Sequence, residues 1–293
     1  VSASPRTTND DWTVRRVLEW TIRHLQERGS DTPRLDAEIL LAHAWGCPRI
    51  QLYTRYDDPL PAEVRASMRE LVKRRAAAEP VAYLVGRREF FSLDFEVQPG
   101  VFIPRPSTET LVVEALTLME NRDAPRILDL CTGSGCIAVT LAHAHPGATV
   151  VAVDLNPLAV EVARRNAERH QVADRVTLLP GDLYAPLPPH ETFDLIVSNP
   201  PYVRDDELAS LPADVRDHEP ALALTAGPDG LDVVRRIVAG LPSRLRDPGG
   251  VLIELSPEHA ATAQELLAGV GLFRRVEVVR DLDRWERVLR GVR

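Results

Sequence analysis

From residue 126 onward the chain alternates short apolar runs with helix-patterned stretches, and this alternation restricts its fold more than any other feature. R-I-L-D-L (126–130), T-V-V-A-V-D (149–154), V-T-L-L (176–179), F-D-L-I-V-S (193–198) and G-V-L-I-E-L (250–255) are nearly continuous in apolar character. A strand with one wet face would alternate apolar and polar residues. A continuous run belongs to a strand covered on both faces, as in a parallel sheet flanked by helices. Helical patterns fall between the runs. In the one over 157–170, Asn156 stands at the cap and Pro157 at the first position, where a missing N–H costs nothing. The expectation is a doubly wound α/β domain. After residue 271, V-E-V-V-R-D and W-E-R-V-L-R add a final strand pair.

The first third of the chain has a different period. Trp12, Val14, Val17, Leu18, Ile22 and Leu25 recur at helical spacing, and Gly29 ends the run. Residues 35–45 form a second amphipathic segment, closed by Gly46 and Pro48, and residues 61–78 a third. A small helical domain over 1–86 follows, either as packing support or as a platform for a macromolecular partner. Residues 88–103, R-E-F-F-S-L-D-F-E-V-Q-P-G-V-F-I, switch to a strand-pair pattern. We therefore expect a β-hairpin linker over 87–104 and the main domain over 105–293. P-R-P-S-T-E opens its first helix, with Ser107 or Thr108 as N-cap and Glu109 in the first turn.

Composition narrows the class. The net charge is −8 over 293 residues, which disfavours a dominant nucleic-acid footprint. Three cysteines, with no CxxC pair and no Cys/His ligand spacing, argue against a disulfide scaffold and a zinc site, and no metal is expected. The start, V-S-A-S-P-R-T-T-N-D-D, lacks the apolar region of a signal peptide, and no run approaches the ~18 apolar residues of a membrane span. A cytoplasmic protein without membrane partners is the expectation.

Four motifs carry chemistry. In L-D-L-C-T-G-S-G-C (128–136) a buried strand ends at a glycine-bearing turn before a helix. Gly133 and Gly135 let backbone approach a ligand without a Cβ in the way. Asp129 and the polar turn Thr132-Gly133-Ser134 are unusual for a pyrophosphate fingerprint, and an acid ahead of the glycines suits a cationic or amino-bearing ligand. Asp154 ends the next strand, where a carboxylate meets a ribose diol. In G-D-L-Y (181–184), Asp182 is suited to accept from an adenine amino group and Leu183 to wall the ring. The three strand ends together fit S-adenosylmethionine better than a dinucleotide, which is the alternative.

The fourth motif, N-P-P-Y (199–202), closes the fourth of these strands. The Asn199 side-chain oxygen and the Pro200 carbonyl are two acceptors on a frame stiffened by proline. Two converging acceptors grip both hydrogens of an –NH2 group. Tyr202 adds a flat wall whose π face favours a sulfonium or its methyl group. The motif reads as a receptor for a planar nitrogen about to be methylated.

With N-P-P-Y after D-L-C-T-G-S-G, the chain resembles the class I methyltransferases that act on planar nitrogens. More closely it is similar to the N(5)-glutamine methyltransferases of peptide-chain release factors. The likeness runs through 79–97, F-I-P-R-P-S-T-E (102–109), V-D-L-N-P-L-A (153–159), V-S-N-P-P-Y-V (197–203), 218–232 and D-L-D-R-W-E-R-V near the end. It implies a Rossmann-like, mostly parallel seven-stranded sheet with its last strand antiparallel, beside an N-terminal helical domain that helps grip the release factor. The implied substrate is the glutamine of a Gly-Gly-Gln motif. Carried over by position, Cys131, Thr132, Gly133, Ser134, Gly135 and Asp154 hold the donor, and Leu183 lines its adenine pocket. Asn199, Pro200, Pro201 and Tyr202 hold the glutamine, Asn199 also facing the donor. Ser107 stands where the family usually has Asp, Leu183 where an aromatic is common, and Cys131 where many members have Gly. The sister enzymes acting on a large-subunit ribosomal protein, and nucleic-acid amino-methyltransferases, are the rival readings. For the proton released on transfer, Glu219 is one candidate acceptor, though a structural anion is the favoured reading of it.

Overall fold

The computed structural model describes residues 12–293. The N-terminal stretch read as lacking a signal peptide's apolar region, residues 1–11, lies outside the described residues. The chain divides into two compact units, Val1–Gly86 and Arg87–Arg293. No helix among the described residues is long and apolar enough to cross a membrane.

The first unit contains α1 (Val14–Glu27), α2 (Pro33–Trp45), α3 (Ile50–Thr54), α4 (Ala62–Ala76) and α5 (Val81–Val85). The Thr13 hydroxyl accepts from the Arg16 amide at 3.3 Å and starts α1. Gly46, at φ 66°, ends α2 in the left-handed region that glycine reaches without strain. Leu18, Leu25, Leu40, Leu41, Leu52 and Met68 form the interior. The buried Asp36 accepts from Ser30 Oγ at 2.8 Å, Thr32 Oγ1 at 2.9 Å and Arg75 Nε at 2.8 Å, which ties α2 to α4. The sequence pattern shows α1, α2 and α4. The five-residue α3 and α5 are too short to display a helical period.

The second unit opens with a hairpin, β1 (Arg87–Phe90) and β2 (Leu93–Glu96), turning through Phe91 and Ser92, both at positive φ. Glu109, at the start of α6 (Glu109–Met119), accepts from the Phe91 amide at 2.9 Å. The expected cap at this helix is absent: neither Ser107 nor Thr108 accepts from the first turn. Their hydroxyls are engaged elsewhere, as described below.

The main sheet is built from β3 (Arg126–Leu130), β4 (Thr149–Asp154), β5 (Val176–Pro180), β6 (Phe193–Ser198), β7 (Leu245–Glu254), β8 (Arg275–Arg280) and β9 (Glu286–Val292). Its order is β5-β4-β3-β6-β7-β9-β8. The first five of these positions are mutually parallel, and β9 runs antiparallel to both its neighbours. Helices α7 (Cys136–Ala144), α8 (Pro157–Arg169), α9 (Ala213–Arg216), α10 (Asp232–Arg244) and α11 (Ala260–Ala268) complete the unit. Asn156 Oδ1 accepts from the Leu158 amide at 3.0 Å, so α8 is capped as its sequence indicates.

The continuous apolar runs have a direct cause. One face of the sheet, with Ile127, Val150 and Leu195, packs under α6 and α7 through Leu111, Ala115 and Leu141. The other, with Leu128, Val151 and Ile196, packs on Val234, Ile237 and Leu241 of α10 and Leu267 of α11. Both faces are dry. The strand order reverses between β3 and β6, which opens a crevice beyond their carboxyl ends.

Candidate active site

A cavity of about 370 Å³ occupies this crevice. Cys131, Thr132, Gly133, Ser134, Asp154, Asp182, Leu183, Asn199, Pro200, Pro201 and Tyr202 all line it; Gly135 does not. Four strand ends bring these residues together: β3 delivers the Cys131–Ser134 turn, β4 Asp154, β5 the Asp182-Leu183 pair and β6 the N-P-P-Y segment.

The two glycines of the turn do different work. Gly133 (φ 57°) faces open space, with nothing within 4 Å of a Cβ built there. At Gly135 (φ 80°) a Cβ would lie 2.9 Å from Ala163 Cβ and 3.2 Å from its Cα. Gly135 therefore admits α8 against the turn and not a ligand against the backbone. Cys131 adopts φ 61°, a left-handed conformation costly for a side chain with a Cβ. Burial pushes its thiol pKa up, so it stays protonated.

Asp129 corrects the sequence reading. It is fully buried, shares with Ile127 the α7-facing side of β3, and lies outside the cavity lining. Its Oδ2 accepts from Thr132 Oγ1 at 2.6 Å, so it braces the turn from behind. Burial pushes its pKa up to about 7, against the Thr132 hydrogen bond.

Asp154 meets the cavity with both oxygens already anchored. Oδ2 accepts from the Gly133 amide at 2.7 Å and Oδ1 from the Asn156 amide at 2.8 Å. Burial raises its pKa while these two amides oppose the rise. A carboxylate oxygen has a second lone pair, so each retains acceptor capacity toward a diol. Asp182 is bonded to Arg236 of α10 at 2.6 Å, an exposed pair at the rim. Leu183, at φ 49°, is buried in the lower core and turns an apolar edge to the cavity.

Asn199 is held at one end of its amide. Its Nδ2 donates to Thr108 Oγ1 at 3.1 Å, and Thr108 is itself buried. With the NH2 end committed to Thr108, the oxygen end is left for the cavity. Tyr202 is half-buried, and burial pushes its phenol pKa up to about 12. It stays neutral near pH 7, which suits a wall and not a base. Glu219 accepts from the Ile103 amide at 3.2 Å and pairs with Arg105. It sits outside the lining, as a structural anion joining the 103–105 segment to the loop after β6.

Sequence reasoning missed three supports. Thr108 was assigned to a helix cap. Arg236 lay in an ordinary amphipathic helix. Asn166 of α8 is fully buried: Nδ2 donates to the Ser134 carbonyl at 2.9 Å and the Glu96 carbonyl at 3.0 Å, and Oδ1 accepts from the Glu96 amide at 2.7 Å. It joins the glycine turn to the hairpin. Its one signal was an amide on the apolar stripe of a helix.

Comparison with known proteins adds an independent line. Residues 16–86 match the family model described as PrmC N-terminal domain, and residues 93–213 match that of the methyltransferase small domain. A release factor glutamine methyltransferase of Rhodopirellula baltica is 46% identical over 288 residues, 97% of each chain. One of Geobacter sulfurreducens is 45% identical over 90% of this chain and 89% of its own. Among solved structures, the hMettl16 catalytic domain in complex with MAT2A 3'UTR hairpin 6 superposes with a TM-score of 0.57 at 20% identity, covering 74% of this chain and 81% of that one. The T. thermophilus 16S rRNA N2 G1207 methyltransferase, in complex with AdoMet and guanosine, gives 0.51 at 22%, covering 71% and 49%. At such identities the structural likeness speaks to the fold alone.

Proposed function

The chain belongs to the release factor glutamine methyltransferase family, and we propose that its crevice binds S-adenosylmethionine and methylates the side-chain amide nitrogen of the Gly-Gly-Gln glutamine of a peptide-chain release factor. The second unit has the class I methyltransferase fold. The observation that carries the reading is the orientation of Asn199: its NH2 end is bound to Thr108, so its oxygen meets the cavity beside Pro200 and Tyr202.

The residues fit the donor. Gly133 leaves room for a close approach, Asp154 offers two anchored carboxylate oxygens at the end of β4, and Leu183 gives an apolar wall next to Asp182. When bound, S-adenosylmethionine supplies an electrophilic methyl group on a sulfonium sulfur. The chain's own task is then to hold and polarise the acceptor. An amide nitrogen is a poor nucleophile because its lone pair is delocalised into the carbonyl. Accepting hydrogen bonds from its two hydrogens, at Asn199 Oδ1 and the Pro200 carbonyl, raises electron density on nitrogen as the new bond forms. Alignment supplies the remainder of the effect. Tyr202 and the Leu222–Thr225 segment also line the cavity.

We assign the first unit to recognition of the protein substrate, because a buried glutamine pocket contacts too little of a release factor to select it. The test is methyl transfer from labelled donor to purified release factor, to the large-subunit ribosomal protein and to RNA, side by side. Label on the release factor at its Gly-Gly-Gln glutamine is the expected result; label on either of the others instead refutes the assignment.

A further inference from the structure

Behind Asn199 lies a carboxylate that no step above uses. Glu254 ends β7 and is completely buried. The sheet register pairs Ser198 with Ile253, so Asn199 and Glu254 are the next residues along two adjacent parallel strands. Ser107 Oγ donates to Glu254 Oε1 at 3.3 Å, while Oε2 is buried without a hydrogen-bond partner. A buried carboxylate with an unpaired oxygen is costly to keep unless it acts on a neighbour.

The neighbour is Thr108, next in sequence to the Ser107 that bonds Glu254 and itself bonded to Asn199, which stands level with Glu254 in the sheet. The Thr108 oxygen accepts from Asn199 Nδ2, so its own hydroxyl proton must point away from Asn199. The Thr108 and Ser107 hydroxyls both favour the charged form of Glu254. We propose that Glu254 is a positioning residue: as a carboxylate it draws the Thr108 hydroxyl proton toward itself, and so fixes which end of the Asn199 amide faces the substrate. Protonated, Glu254 becomes a donor to Thr108. The Thr108 proton then turns to the Asn199 oxygen, and the amide presents NH2 to the cavity. A donor there repels the hydrogens of the incoming amide. The inference rests on the reading of Asn199 as the acceptor-site amide.

The environment places this change within reach of ordinary conditions. Burial pushes the Glu254 pKa up to about 7, opposed by Thr108, by Arg287 of β9, by Ser107 and by Arg105 ahead of α6. Tyr202 and Cys136 of α7 also face it, both neutral near pH 7. Deprotonation is the productive direction, so turnover rises with pH through this range.

The test is kcat against pH at saturating donor, with release factor as acceptor, for the wild type, E254Q, T108V, T108S and the double variant T108V/E254Q. Donor affinity and melting temperature serve as folding controls. We expect E254Q to flatten the acid limb and lower plateau turnover about tenfold, with donor affinity nearly unchanged. T108V is expected to lose a similar factor, T108S to recover most of it, and the double variant to be no worse than T108V. Additive losses, an intact acid limb in E254Q, or T108S as impaired as T108V would each overturn the inference. If E254Q does not fold, the acid limb in the Thr108 variants decides it: it should flatten in T108V and persist in T108S, and an unchanged limb in T108V overturns the inference. N199A is run alongside: full activity there refutes the reading of Asn199 itself, whereas its loss with normal T108V refutes only the role of Glu254.

Discussion

Asn199 and Thr108, 91 residues apart in sequence, are joined by a 3.1 Å hydrogen bond in which the asparagine donates. The bond ties the N-P-P-Y segment to the I-P-R-P-S-T-E segment, and it sets which end of the Asn199 amide faces the cavity. N199A should therefore lower kcat by about a hundredfold, the scale for losing one group that acts on developing charge. Donor affinity, read by calorimetry, should change little. Wild-type turnover in this variant contradicts the assignment.

Asp154 should behave in the opposite way. D154A removes both oxygens proposed to meet the ribose diol, together with the anchors of the Gly133 and Asn156 amides. Donor affinity should fall by roughly 10- to 100-fold, the range of one or two lost charged hydrogen bonds. An unchanged dissociation constant rules out the ribose role.

The two glycines of the turn should separate binding from stability. G133A projects a methyl into the open cavity and should weaken donor binding more than folding. G135A drives a Cβ to 2.9 Å from Ala163 and should cost about 1–3 kcal/mol of stability in denaturant titration. The reverse pattern would refute the division of labour drawn above.

Asn166 should be critical to stability although it never meets the cavity. N166A leaves the Glu96 amide and two carbonyls without their partner. A loss of about 2–4 kcal/mol follows from orphaning such buried groups, measured as a lowered denaturation midpoint. A midpoint within error of wild type would show that the hairpin and the turn hold without it.

Asp129 gives a pH signature in stability. Its folded pKa, about 7, lies above the ordinary 3.8, so the folded state binds the proton more tightly. Its stabilising contribution is complete below about pH 4 and is lost as pH rises through about 7. D129N does not titrate, and its amide oxygen can still accept from Thr132. The melting temperature of the wild type relative to D129N should therefore fall between about pH 5 and pH 8. A difference that stays constant over that range contradicts the raised pKa.

The parts of the fold that were legible in sequence are those written in local signals. Dry-faced strands show as continuous apolar runs, α8 shows its Asn156 cap, and N-P-P-Y stands out because two prolines interrupt a strand end. What escaped depends on partners far along the chain. Ser107 and Thr108 look like caps by composition. They serve Glu254 and Asn199 instead because the helix start is held beside β6 and β7, which no short window contains. Asp129 was read as facing a ligand because only its distance from the glycines was visible. Strand alternation, anchored by Ile127, sends it to the other side. Leu183 and Cys131 line the cavity, and their left-handed backbones have no signature in residue type.

The sheet order divides the site between two sources. The groups proposed to face the donor come from β3, β4 and β5, while Asn199 comes from β6, and Thr108 and Glu254, proposed to support it, from the start of α6 and from β7. The two halves share a crevice but no strand. A substitution at the proposed acceptor end therefore leaves the strands that carry the proposed donor groups unaltered.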